Sequence, residues 1–144
     1  MKVSAKTEYA CIAMLELAAH YGTGEPVRIR RIAERHDVPP RFLVQILLQL
    51  KGAGVVASVR GAAGGYQLVK PPSEISLGQV MDMIDGSSED AGQTTSASPD
   101  SPLVRILLQT WSDVAAVQRK MLFAMTLTEL LERAKTQGEH MYNI

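Results

Sequence analysis

Between Ile29 and Val69 the chain passes through a short amphipathic segment, a Val38-Pro39-Pro40 corner, a second amphipathic segment and a glycine-rich turn, with no spacer between them. Few folds accept that order. Paired prolines cannot lie inside a helix but suit a turn and the first turn of the helix after it. Arg28 to His36 therefore reads as one helix, burying Ile29, Ile32 and Ala33, and Arg41 to Lys51 as the next. The second keeps apolar side chains on one face and puts Arg41, Gln45, Gln49 and Lys51 elsewhere, as a helix packed on a core and offered to a groove does. Gly52 and Gly54 end it. Two short strands, Val55 to Val59 and Tyr66 to Val69, then flank Arg60-Gly61-Ala62-Ala63-Gly64-Gly65. Three glycines in those six residues let the turn lie close to another backbone, with Arg60 at its base. Helix, corner, helix and hairpin in this order make a winged helix-turn-helix, and duplex DNA becomes the expected partner.

Charge agrees with that expectation. The net charge of zero over 144 residues hides a split: residues 1–70 hold ten Lys/Arg against five Asp/Glu, and residues 71–144 hold five against ten. The halves are +5 and −5. A positive half attracts polyphosphate while an acidic remainder is repelled by it, which orients the molecule as well as binding it.

The rest of the chain supplies a frame. Residues 4–21 have the periodicity of a first helix, carried by Tyr9, Ile12, Ala13, Leu15, Leu17 and Ala18, with Gly22 and Gly24 stopping it. Pro71-Pro72 closes the wing, and Ser76-Leu77-Gly78-Gln79 is a capping box opening a short helix to about Asp85. Seventeen residues from Gly86 to Pro102 contain no large apolar side chain and read as a flexible loop. Leu103 to Ala124 returns to helical periodicity with a wide apolar face, over a length of roughly 30 Å. So much apolar surface on a small domain predicts a dimer interface through Val104, Leu107, Leu108, Trp111, Val114 and Met121. Thr126-Leu127-Thr128-Glu129 is a second capping box, starting a last short helix through Leu130, Leu131 and Ala134. The expected organisation is a DNA-binding unit over 1–85, a loop over 86–102, dimerisation helices over 103–137 and a fraying tail over 138–144. The fold class is mainly α with a small β-wing.

Other functional classes find little support. No run of 18 apolar residues and no signal-peptide pattern occurs, so a cytoplasmic protein with no membrane contact is expected. Cys11 is the single cysteine and sits among Ile12, Met14 and Leu15, where it reads as a small buried hydrophobe. The three histidines have no metal spacing, and His36 beside Asp37 suits a cation at a helix C-terminus. The glycines of the turn are followed by no Lys-Ser/Thr pair, which removes a nucleotide-binding loop. No Ser/His/Asp set or carboxylate pair stands out, so catalysis is not expected. The remaining rival to a DNA-binding regulator is a winged-helix module that docks another protein and binds DNA weakly or not at all.

The segments Met1 to Ala10, Ile32-Ala33-Glu34-Arg35, Leu43 to Leu47, Val59 to Leu68 and Ile75 to Gly78 closely resemble the Rrf2 family of bacterial regulators, which includes IscR-like, NsrR-like and CymR-like members. The resemblance implies a homodimeric transcription factor, usually a repressor, acting on a palindromic operator. Its recognition helix enters the major groove, its wing reaches the adjacent minor groove, and its long C-terminal helices cross in the dimer. Arg60, with Gly61, stands where the family places a wing arginine, whose guanidinium gains from the focused potential of a narrow groove. Gln45 stands where the family uses a base-reading glutamine, able to pair bidentately with adenine. Pro40 and Arg41 replace small hydroxyl residues and Val44 replaces a common glutamate, so a different base preference follows. Val44 could at most touch a thymine methyl. Ser4, Lys6, Tyr9, Arg28 and Arg31 are the expected phosphate contacts, which set register rather than sequence. Many members hold an iron-sulfur cluster with three cysteines in the loop that corresponds to Gly86 to Pro102, and this sequence has none there. A cofactor-free member is implied, controlled by a partner protein or a small molecule.

Overall fold

Ser4 starts the first helix in a computed structural model that describes residues 1–86 and 97–142, the side chains of 139–142 excepted. Its extended backbone and its Oγ, which accepts from the Thr7 amide at 3.1 Å, make it the N-cap of α1, Ala5–Ala19. Ala10, Ala13, Met14, Leu17 and Ala18 recur at helical spacing and are buried. The expected extension to residue 21 is replaced by tighter bonds, His20 N to Leu17 O and Tyr21 N to Ala18 O at 3.2 Å each, before Gly22 turns the chain at φ 85°.

Arg28 is the N-cap of α2, Ile29–His36, rather than its first residue. The helix stops at Asp37, a non-glycine residue held in the left-handed region at φ 53°. Val38 is buried beside it, and Pro40 opens α3, Pro40–Gly52, at the first helical position. Leu43, Ile46, Leu47 and Leu50 form its inner face and are fully buried, each contributing about 1.5–3 kcal/mol by leaving water.

The wing is β1, Val56–Val59, antiparallel to β2, Gly65–Leu68, in the register Val56 to Leu68 and Val59 to Gly65. Val27 adds one bridge to its far side, exchanging two 2.8 Å bonds with Tyr66. The close backbone approach expected of the glycines occurs here. A Cβ on Gly65, at φ +154°, would meet the Val27 carbonyl at 2.5 Å.

A 3-10 turn over Pro72–Glu74 leads to α4, Leu77–Asp85, whose capping box is complete: Ser76 Oγ accepts from the Gln79 amide and Gln79 Oε1 from the Ser76 amide. The loop expected over 86–102 lies largely outside the described residues. Ser101 then caps α5, Pro102–Ala124, which has no fully buried residue. The chain returns to the first unit through two backbone bonds, Leu77 N to Met125 O and Leu127 N to Ile75 O, both 2.9 Å. Leu127 is fully buried there and opens α6, Leu127–Tyr142, which packs on α1. This last helix is longer than expected and runs through Gly138, while residues 143–144 of the expected tail lie outside the described residues. Among the described residues no helix is long and apolar enough to cross a membrane.

Candidate DNA-binding surface

With Leu43, Ile46, Leu47 and Leu50 turned inward, α3 offers Arg41, Val44, Gln45 and Leu48 to solvent. Their spacing of three, one and three residues lays a single row along the helix. It is also the spacing by which homeodomain recognition helices carry side chains to bases. Pro40 lies exposed at the start of this row. The entry of the helix is fixed by rings: Tyr9 of α1 meets Phe42 at a centroid distance of 5.5 Å and an angle of 50°. The Arg41 guanidinium carbon lies 5.2 Å from the Phe42 ring centroid. Tyr9 thus orients the helix as well as standing near its end.

The wing is tied to the same helix. Lys51 Nζ donates to Ser58 Oγ at 2.9 Å, and the exposed tip carries Arg60 and Gly61, closed by a 3.0 Å bond from the Gly64 amide to the Gly61 carbonyl. Beside the wing, where Val27 bridges Tyr66, Pro26, Arg28, Arg30, Arg31, Glu34 and Arg35 line an open cavity of about 660 Å³ at the start of α2. Arg30 is paired with Glu34 at 2.8 Å and Arg35 with Glu16 at 3.3 Å. Arg28 and Arg31 make no ion pair among the described residues and face solvent.

The N-terminus is arranged differently from a set of free contacts. Ser4 Oγ donates to Thr7 Oγ1 at 2.9 Å, and Thr7 Oγ1 donates to the Asp85 carboxylate, 2.8 and 2.7 Å from its two oxygens. The Ser4 proton is committed inside the protein, whereas Lys6 and Tyr9 are half-exposed.

Sequence reasoning missed the Glu16 node. This carboxylate is buried in α1, yet Oε1 lies 2.8 Å from His36 Nε2 and 3.3 Å from Arg35 Nε, and Oε2 lies 3.1 Å from His20 Nδ1. It joins α1 to the last turn of α2, so His36 does more than face a helix terminus. A lone acid between Leu15 and Leu17, four residues before His20, was the available signal.

Along α5, Leu103, Leu107, Thr110, Val114, Val117 and Met121 alternate at steps of four and three, the spacing of a heptad seam. Leu103 is 82% and Trp111 60% exposed, while Val104 and Leu108 on the flank are half-buried. The opposite side is anchored. Arg119 makes a two-pronged pair with Asp82 of α4, at 2.9 and 3.3 Å, and lies 4.6 Å from the Phe123 ring centroid.

A recognition helix with a polar and apolar outer row, a glycine-rich wing and a basic flank define a DNA-binding winged-helix regulator. The family model described as Rrf2, iron-dependent transcriptional regulator, matches residues 3–133, and the chain belongs to that family. It is 37% identical over 132 residues to the HTH-type transcriptional regulator IscR of Aliivibrio salmonicida, covering 91% of this chain and 77% of the relative. Among solved structures, T. potens IscR superposes with a TM-score of 0.74 at 33% identity, covering 93% of this chain and 88% of the other. CymR, the global cysteine regulator of B. subtilis, superposes at 0.78 with 28% identity, covering 92% and 98%. The chain is thus a DNA-binding transcriptional regulator and not an enzyme.

The donor set does not fit the family's iron-sulfur cluster. A cluster needs several thiolates, and this sequence has one cysteine. Cys11 is half-buried on α1, and its thiol is pushed up to about 11, first by burial and then by the charges of Asp85 and Glu8. A thiol so held stays protonated, the reverse of what a metal ligand requires. Among the described residues no three His, Cys, Asp or Glu side chains are grouped to hold a metal ion.

Proposed function

We propose that this chain acts as a homodimeric, sequence-specific repressor that binds a palindromic operator without an iron-sulfur cluster and answers to a partner protein or a small molecule. The observation that carries the reading is the outward row Arg41, Val44, Gln45 and Leu48, accompanied by the exposed Arg60 wing tip and by the exposed Arg28 and Arg31. In this reading α3 enters the major groove, Arg60 and Gly61 enter the next minor groove, and Lys6, Tyr9, Arg28 and Arg31 hold phosphates. Ser4 joins them by turning its hydroxyl away from Thr7. The exposed seam of α5, with Leu107, Trp111, Val114 and Met121, is covered by the same helix of a second copy.

Selection of bound genomic fragments by the purified protein, with sedimentation of the same preparation, tests both parts. The expected result is a dimer and an inverted repeat whose half-sites lie about 10 base pairs apart, or a multiple of that. A protein that selects no sequence would instead be a protein-docking winged helix. Leu107→Asp with Val114→Asp should yield monomers that bind the operator far more weakly.

A further inference from the structure

We infer that Val44 and Leu48 form a methyl-reading pair, so that each half-site carries two thymines about two base steps apart. The inference rests on the DNA-binding reading above and names what that surface recognises. Leu48 is 57% and Val44 46% exposed, although both lie on a helix whose other aliphatic side chains are fully buried. At about 100° per residue, Leu48 stands near the middle of the outward arc, between Val44 on one side and Arg41 and Gln45 on the other. The two apolar side chains are thus inside the base-reading row.

Scattered exposed leucines need no explanation, but these two are one turn apart on the face offered to the groove. The major groove presents one apolar group that distinguishes a base, the C5-methyl of thymine. Neither side chain can exchange hydrogen bonds with a base edge, so guanine and cytosine opposite them would lose hydration without replacement. Residues four apart on a helix have Cβ atoms about 5–6 Å apart, close to two base-pair steps of about 3.4 Å. Arg41 and Gln45, interleaved with them, have the geometry for guanine and adenine.

The test replaces each thymine of the selected operator by deoxyuridine, which removes the methyl and nothing else, and measures affinity for the parent protein, Val44→Ala and Leu48→Ala. Both positions are exposed, and circular dichroism verifies that the variants fold. The parent should lose about fourfold in affinity at each of two positions, the equivalent of one buried methyl. Each variant should lose that sensitivity at one of the two positions and keep it at the other. An operator with no uridine-sensitive position, or sensitivities that persist in both variants, overturns the inference while leaving DNA binding intact. Failure to enrich any sequence removes the DNA-binding reading and this inference with it.

Discussion

The Phe123 ring fills the space that a side chain on Gly78 would need: a Cβ built there overlaps the ring carbons Cγ, Cδ2 and Cε2. Helix α4 can therefore approach the end of α5 only because residue 78 has no side chain. Gly78→Ala should destabilise the protein by about 1–3 kcal/mol through overpacking, read as a lower urea midpoint. Phe123→Ala in the same chain should recover part of that loss, because the two residues are in contact. An unchanged midpoint in Gly78→Ala would show that the ring moves aside freely.

Glu16 is the buried partner of three basic side chains, His20, Arg35 and His36. Glu16→Ala should cost about 3 kcal/mol, the low end for breaking a buried pair, since its partners reach solvent. Glu16→Gln should cost less, because it keeps hydrogen-bonding oxygen in place. Chemical denaturation of the two variants checks the order.

Cys11 should be slow to alkylate in the folded protein until pH approaches 11, whereas the unfolded chain reacts from about pH 9. The folded value is raised, so the contribution to stability is complete below pH 9 and is lost as pH rises through 11. Two pH units correspond to about 2–3 kcal/mol at most. Cys11→Ala should remove this alkaline decline, measured as denaturation midpoints between pH 8 and about 11.

Arg28→Ala and Arg31→Ala should each weaken binding to all duplexes alike and reduce the slope of log affinity against log salt by about 1. Arg60→Ala should do the same and also lower the preference for operators with an A·T-rich, narrow minor groove beside the half-site. Salt titrations on operator and random duplex separate the two behaviours. Unchanged operator affinity and specificity in Arg60→Ala would remove the wing from the reading.

Features carried by neighbours in sequence were legible from the chain, and those carried by distant contacts were not. Pro39 and Pro40 predict the corner because their rings forbid the alternative, and Ser76 with Gln79 predicts the capping box because both bonds are local. The glycines of the wing announce a close approach, but only the fold shows that Val27 is what Gly65 approaches. Leu47 and Leu48 look alike in sequence; the surrounding helices decide that the first is buried and the second is not. His20 lies four residues from Glu16 and is within reach of local spacing, but Arg35 and His36 come from the next helix, where no such spacing reveals them. A fraying tail is expected from residue 138, yet one glycine costs a helix only about 1 kcal/mol, and α6 continues through Gly138.

The way α5 is fastened at one end gives it the character of a lever. Its last turn is locked to the first unit by the Met125 and Leu127 backbone bonds, by Phe123 on Gly78 and by Arg119 on Asp82. The 23 residues of the helix span about 35 Å. In the proposed homodimer, a change of about 10° in the angle at which two such helices cross would move the two DNA-binding units by about 6 Å relative to one another, close to two base steps of about 3.4 Å each. A ligand or partner touching only the seam, far from α3, could in this way release an operator by spoiling its spacing, with the reading surface itself unaltered.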